Sequence, residues 1–268
     1  MSTFAEIERD GWNERASVYE HTTAHATTQA IPALLNAVQP RFGSRLLDIC
    51  SGPGFAAGAA AAIGCDATGV DFAEEMVKSA TEKFPNCHFV TGDAQTLDQE
   101  STSFDAAICN FGVFHFAEPE LAIKEAARVL KTGGRYAWSQ WQGPDKSAFF
   151  STIFNAVMNN ANMEVGLPPA PPPFRFSDTE VANAAMEAAG FKNIQSNEVS
   201  IVLPAPTDTF MDFFKKFSVR MTMVLDRQDP TVNQAIEGEI MAGLAQFDEG
   251  GLLQIPMPAI VVSGTKSA

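Results

Sequence analysis

The stretch at residues 45–55, RLLDICSGPGF, constrains this chain more than any other. A short apolar run through Leu46, Leu47 and Ile49 meets a turn containing Ser51, Gly52, Pro53 and Gly54. An alanine-rich run then continues through Ala56, Ala57 and Ala59 to Ala62. Strand, tight turn and helix is the order these residues dictate. Such a turn needs residues without a Cβ, both to reach positive φ and to let a ligand approach the backbone, and Gly52 and Gly54 supply them. The free N–H groups that open the helix then face the crevice at the carboxyl end of the strand, where open α/β sheets bind ligands. Asp48 stands just before the glycines. Its carboxylate is expected to face that crevice, where it would attract a cationic ligand and repel a pyrophosphate.

The remaining chain repeats this pattern. Residues 66–70 read as a second strand leading to Asp71, with a helix over 73–83; 87–90 read as a third strand followed by Gly92, Asp93 and Ala94. Residues 104–110, FDAAICN, read as a strand buried on both faces, and a helix over 118–130 leads through the turn LKTGG to a strand over 135–141. Successive strand-turn-helix units imply a parallel sheet with right-handed crossovers. Asp71 lies 19 residues beyond Gly52, close to the ~20 at which a carboxylate at the neighbouring strand tip accepts from ribose hydroxyls. The competing reading of Asp71 is an N-cap for the helix that follows.

Upstream, residues 5–38 are expected to be helical, with Trp12, Ala16 and Tyr19 on one face. Downstream, helices are expected over 145–164, 177–190, 207–225 and 232–247, and strands over 191–203 and over 253–263, the last interrupted by Pro256 and Pro258. Phe213, Phe214, Phe217, Met221 and Val224 lie 3, 4, 7, 11 and 14 residues after Phe210, an apolar helical face. Residues 168–173, PPAPPP, form a semi-rigid extended connection.

At 268 residues the chain suits one α/β domain. A net charge of −14 argues against a nucleic-acid partner, because phosphate backbones require clustered Lys and Arg. Cys50, Cys65, Cys87 and Cys109 contain no C-x-x-C pair, so they read as reduced thiols and no metal site is expected. The acidic start MSTFAEIERDGW does not read as a secretory signal, and no apolar run approaches the ~20 residues of a membrane span. A cytoplasmic protein, monomeric or homodimeric, without membrane attachment, is the expectation.

Four ordered pieces, DICSGPG, GVDFAEEMV, GDA and FDAAICNFGVFHF, resemble the motifs of class I S-adenosylmethionine-dependent methyltransferases, in particular small-molecule members of the type 11 and ubiquinone-biosynthesis-like group. The string LKTGG also resembles their RVLKPGG segment. The chain departs from the usual LD-x-G-C-G-x-G at Cys50, which stands where the family carries its first glycine. The resemblance covers about residues 45–141 and implies a Rossmann-like α/β fold: a seven-stranded, mostly parallel sheet with one antiparallel strand, helices on both faces, and a helical cap from insertions. Residues 1–40 would be an N-terminal helical lid, 41–142 the cofactor-binding core, and 143–176 with 204–250 the cap.

It further implies S-adenosyl-L-methionine as cofactor and S-adenosyl-L-homocysteine as product. Asp48, Cys50, Gly52, Gly54 and Asp71 would hold the cofactor's amino-acid and sugar ends, with Phe72 and Met76 near the adenine edge and Asp93 and Ala94 reading the base. Asn110 and Phe111 would border its methionine end, and Tyr19 would cover it or pack as a helix edge. Methyl transfer needs alignment and exclusion of water rather than a metal. An oxygen or carbon acceptor often also needs a base, and His115 suits that role by its ordinary pKa near ~6.5, or else positions the loop. The acceptor is expected to be small and partly apolar, with Phe149, Phe150, Phe154, Phe210, Phe213, Phe214, Met221 and Met223 as pocket candidates and Arg175 and Arg220 as candidate anchors for an anionic group.

Two rivals differ in chemistry. Gly52, Gly54 and Gly58 also spell G-x-G-x-x-x-G, as in nicotinamide dehydrogenases. The two tyrosines, Tyr19 and Tyr136, however, are followed four residues on by Thr23 and Gln140, so no Tyr-x-x-x-Lys pair exists. The other rival keeps the cofactor and drops the transfer, as a regulatory or scaffold use.

Overall fold

A computed structural model describes residues 2–267. Among the described residues nine strands occur in the order β1 (Arg45–Ile49), β2 (Asp66–Asp71), β3 (His88–Thr91), β4 (Phe104–Cys109), β5 (Leu130–Trp141), β6 (Phe191–Val199), β7 (Val202–Pro206), β8 (Leu252–Pro256) and β9 (Ala259–Lys266). Seven of them form one sheet in the order β3-β2-β1-β4-β5-β9-β6, parallel throughout except for β9, which runs against both its neighbours. This is the expected Rossmann-like arrangement. The strand order reverses between β1 and β4, and that switch point opens the crevice above Ile49 and Cys109.

The inner strands are apolar on both faces because helices cover both. Leu46, Leu47, Ile49, Ala106, Ala107, Ile108 and Cys109 are buried. On one side α3 (Ile31–Val38) and α4 (Phe55–Ala62) pack over Leu46, Ala106, Ile108, Ala137 and Val261. On the other, α6 (Pro119–Val129) and α8 (Thr179–Ala188) cover Leu47, Ala107, Tyr136 and Trp138. Helix α5 (Glu74–Lys83) follows β2, and α8 opens on an Asp178 side chain that accepts from Glu180 and Val181 N–H groups.

Several elements differ from the sequence reading. Residues 5–38 do not form one helix: α1 (Phe4–Arg15) stops before a threonine-rich segment, and the short α2 (Ala24–Thr27) precedes α3. Thr22, Thr27 and Thr28 hydroxyls donate to carbonyls one turn back, competing with regular helix geometry. Trp12, Ala16 and Tyr19 nevertheless meet in one cluster with Phe72, Ala73 and Met76. The stretch 191–203 divides into β6 and β7, and 253–263 into β8 and β9 beside Pro258. The pair β7–β8 makes a separate antiparallel ribbon. The helix expected over 207–225 breaks at Ser218 into α9 (Phe210–Phe217) and α10 (Val219–Leu225), and α7 (Ala148–Asn160) and α11 (Pro230–Leu244) complete the cap. The segment LKTGG lies within β5, with an irregularity in register opposite Phe104 and Ala106.

Helix α1 is clamped to the cap. A Cβ on Gly11 would stand 2.3 Å from Val219 Cγ1, so the helix and α10 meet at the distance only glycine permits. The Arg15 guanidinium donates to the Lys215 and Ser218 carbonyls at 3.0 and 3.3 Å, closing the end of α9. Gly11→Val is therefore expected to cost about 1–3 kcal/mol by overpacking. It should also expose the segment joining α1 to α3 to limited proteolysis, whereas equal urea midpoints and cleavage rates for both proteins would refute the clamp.

Candidate functional site

The turn after β1 is built from three left-handed residues, Cys50 (φ +61°), Gly52 (φ +51°) and Gly54 (φ +81°). Two buried carboxylates hold it. Asp71, at the tip of β2, accepts from Gly52 N–H at 2.7 Å with one oxygen and from Ala73 N–H at 2.9 Å with the other. The carboxylate thus turns the chain into α5 and braces the glycine turn, while each oxygen retains a lone pair for a ligand. Burial pushes its pKa up, opposed by these two N–H donors and by His115.

Asp48 differs from the sequence reading. It is wholly buried, accepts from Ala57 N–H at 2.9 Å, and does not line the crevice. The alternation of β1 points it beneath the turn, at the N-terminus of α4, where a carboxylate is favoured by the helix dipole. Gly54 is likewise behind the site rather than on it: a Cβ there would meet the Phe89 ring at 2.6 Å. Gly52 faces open space and lines the cavity.

Cys50 occupies a conformation that costs a non-glycine residue roughly 1–2 kcal/mol. Its neighbour makes room for it. A Cβ on Gly112 would lie 2.6 Å from Cys50 Cβ and 2.7 Å from Cys109 Sγ, so glycine at 112 accommodates the side chain that replaces glycine at 50. Both thiols have pKa values raised by burial, which makes them inert packing groups.

Above the turn lies a cavity of about 410 Å³. Tyr19, Cys50, Gly52, Asp71, Phe72, Met76, Asn110, Phe111 and His115 all line it, so the structure gathers most of the sequence candidates at one place. Asp93 and Ala94 line a smaller adjoining cleft, bounded also by Phe72, Asp71, Cys50 and His115. Asn110 is fixed by two bonds: its amide donates to the Thr27 carbonyl at 3.1 Å, and its oxygen accepts from Ser139 Oγ at 2.8 Å. Ser139 Oγ in turn accepts from the N–H of Phe111, whose φ is +54°. Phe111 stacks on Trp141 with ring centroids 3.8 Å apart.

The far end of the cavity is aromatic. Phe149, Phe150, Phe154, Phe214 and Met221 line it as expected, joined by Phe174 and Phe217, whereas Phe210, Phe213 and Met223 do not. Arg220 lines the cavity and donates to the Pro168 carbonyl at 2.7 Å; Arg175 pairs with Glu120 away from it.

Polar and aromatic contributors from the N-terminal segment are not legible in the sequence. Glu8 and Trp12 reach the cavity from α1, and Thr23 brings a buried hydroxyl that has no partner among the described residues. Glu8 meets His115 Nδ1 at 2.6 Å. Nothing local on α1 pairs Glu8 with a histidine 107 residues away. Among the described residues no group of three metal-ligating side chains occurs, and no helix is long and apolar enough to cross a membrane.

Burial raises the Asp48 carboxyl to about 8, with the Ala57 N–H opposing and the Asp71 charge adding to the rise. Below pH ~4 folded and unfolded chains both carry this proton. Between ~4 and about 8 the folded chain keeps it while the unfolded chain gives it up, so stability falls as pH rises through that window. Asp48→Asn keeps an acceptor for Ala57 N–H and cannot ionise. Urea unfolding of the ligand-free proteins should shift in the variant's favour between pH 5 and pH 8, by about 1.4 kcal/mol for each pH unit over which Asp48 is held protonated. A pH-independent difference would contradict a protonated Asp48.

Comparison with known proteins agrees with this geometry. Residues 47–138 match the methyltransferase domain family. The demethylmenaquinone methyltransferase of Paenarthrobacter aurescens is 32% identical over 111 residues, 41% of this chain and 44% of that protein. The chain thus spans about half the length of the curated relatives it matches first. The YcgJ protein of Bacillus subtilis superposes with a TM-score of 0.59 at 21% identity, over 89% of this chain and 98% of that one. The [4+2]-cyclase SpnF superposes with a TM-score of 0.54 at 20% identity, over 90% and 81% of the two chains.

Proposed function

We propose that this chain, whose residues 47–138 match the methyltransferase domain family and whose fold is Rossmann-like, transfers a methyl group from S-adenosyl-L-methionine to a small, partly apolar acceptor. One observation carries this reading: a single cavity runs from the Gly52–Asp71 turn to an aromatic cap. The cofactor fits the donor set at the turn. Gly52 leaves space a side chain would fill, Asp71 has spare lone pairs for a sugar diol, and the Thr23 hydroxyl lacks a partner. The adjoining cleft with Phe72, Asp93 and Ala94 suits the flat base.

When bound, the cofactor supplies an electrophilic methyl on a sulfonium. The chain's own part is to align the acceptor, exclude water and relieve the acceptor of a proton. The ring faces of Phe150, Phe154 and Phe174 favour a flat apolar molecule, so demethylmenaquinone, named for the relatives, belongs in any acceptor panel. His115 is the proton acceptor in this reading. The fold by itself does not decide the chemistry, since it also supports a protein named as a cyclase. Cofactor binding without any methylated product would move the assignment to a scaffold role.

Calorimetry is expected to give heat with S-adenosylmethionine and S-adenosylhomocysteine and none with NADP. Loss of charge in Asp71→Asn removes charge-assisted bonds of about 1.5–3 kcal/mol, roughly a ten- to hundredfold loss of affinity. Binding of NADP alone would overturn the proposal.

A further inference from the structure

The lid helix places a carboxylate against the candidate base. Glu8 is 3% exposed, and its Oε2 meets His115 Nδ1 at 2.6 Å while also accepting from Trp12 Nε1 at 3.2 Å. The imidazole is held by rings as well: Trp12 stands edge-on at 5.2 Å and Phe114 packs at 4.3 Å between centroids. Nε2 has no hydrogen-bond partner among the described residues, and His115 borders both the main cavity and the adjoining cleft. The ring's hydrogen bond among the described residues therefore falls on Nδ1 and leaves Nε2 without one.

Stability does not explain this arrangement. A buried ion pair gains little over an apolar pair of the same volume, and often less. A leucine at position 8 would pack against Trp12 without desolvating a charge. What a carboxylate does and a leucine cannot is hold the neutral imidazole in one tautomer. With Glu8 accepting from Nδ1–H, the lone pair of the ring resides on Nε2, and positive charge arriving on the ring has a partner 2.6 Å away.

We propose that Glu8 is a positioning residue that makes Nε2 of His115 a base, and that the acceptor is a molecule arriving with a proton on its nucleophilic atom, a hydroxyarene or enol rather than a thioether or tertiary amine. The inference rests on the methyltransferase reading. The acceptor's O–H proton, or the C–H proton of its carbon tautomer, passes to Nε2. The freed electron pair bonds the methyl carbon, and the pair of the breaking C–S bond stays on sulfur as a neutral sulfide. The proton remains on an imidazolium paired with Glu8 until solvent removes it. Charge is conserved: the sulfonium's positive charge ends on the histidine.

The test uses the full chain with S-adenosylhomocysteine bound and its imidazole nitrogens labelled with ¹⁵N. His115→Gln assigns the His115 signal among those of His21, His25 and His88. The wild-type neutral ring is expected to show a protonated Nδ1 and a bare Nε2. Glu8→Leu should convert it to the Nε2–H form, lower methyl transfer to a hydroxyarene panel at least tenfold, and leave S-adenosylhomocysteine affinity within about twofold. Glu8→Gln, whose amide oxygen still accepts from Nδ1–H, should keep the tautomer and recover part of the rate; it also serves if the leucine variant does not fold. An Nε2–H tautomer in the wild type, or an unchanged tautomer in Glu8→Leu, would overturn the assignment. So would a loss of S-adenosylhomocysteine affinity in step with the rate, which would make the pair only a latch for α1. Failure of the wild type to bind S-adenosylhomocysteine would instead strike the methyltransferase reading itself.

Discussion

The hydrogen bond from Gly52 N–H to the Asp71 carboxylate joins the tips of two adjacent parallel strands, and the site depends on it. Without it the loop after β1 would hold three positive-φ residues, Cys50, Gly52 and Gly54, with little to fix them. Asp48 secures the same loop from beneath by binding the N–H of Ala57. Two carboxylates so deeply buried are costly, and burial raises the pKa of both. The cost is offset by backbone N–H donors at helix starts, which need acceptors in any case. A cationic ligand beside Asp71, the carboxylate of the two that lines the cavity, would relieve it further.

Substitution at one point of this turn is absorbed at another. Cys50 stands in a left-handed conformation that glycine would adopt freely, and its side chain occupies space that Gly112, on a different strand's exit loop, leaves open. The two positions come from separate motifs in the chain, yet they behave as a single packing unit. Phe111, also left-handed, is held by a relay through Ser139 and Asn110 that ends on the Thr27 carbonyl of the N-terminal segment. Core and lid are thus fastened through the residues that border the cavity.

The cap divides the labour differently. Its aromatic side chains come from α7, α9 and the proline-rich connection, and they form a lattice of edge-to-face contacts, such as Phe150 with Phe174 at 4.8 Å and Phe149 with Phe150 at 5.0 Å. The quadrupoles of aromatic rings favour this geometry. Polar groups cluster at the other end of the cavity, on the sheet side and on α1. An acceptor with an apolar body and one ionisable position suits that division.

Much of the core was legible in the chain itself. The strand boundaries of β1, β2 and β4, the positive-φ glycines, and Asp71 at its strand tip follow from local periodicity and turn chemistry, which act over a few residues. Which way Asp48 points did not, because a strand's alternation names two faces and only the packed helices decide which is the crevice. The 207–225 helix and the 191–203 strand read as undivided because apolar periodicity continues across Ser218 and Ile201 while the elements end there, and the N-terminal helix is broken by threonine hydroxyls bonded one turn back. Glu8 is the sharpest case: a glutamate on a lid helix is an ordinary solvated residue in sequence. Its pairing with His115 exists only once α1 folds across the tip of β4, since a hydrogen bond spanning 107 residues leaves no local trace.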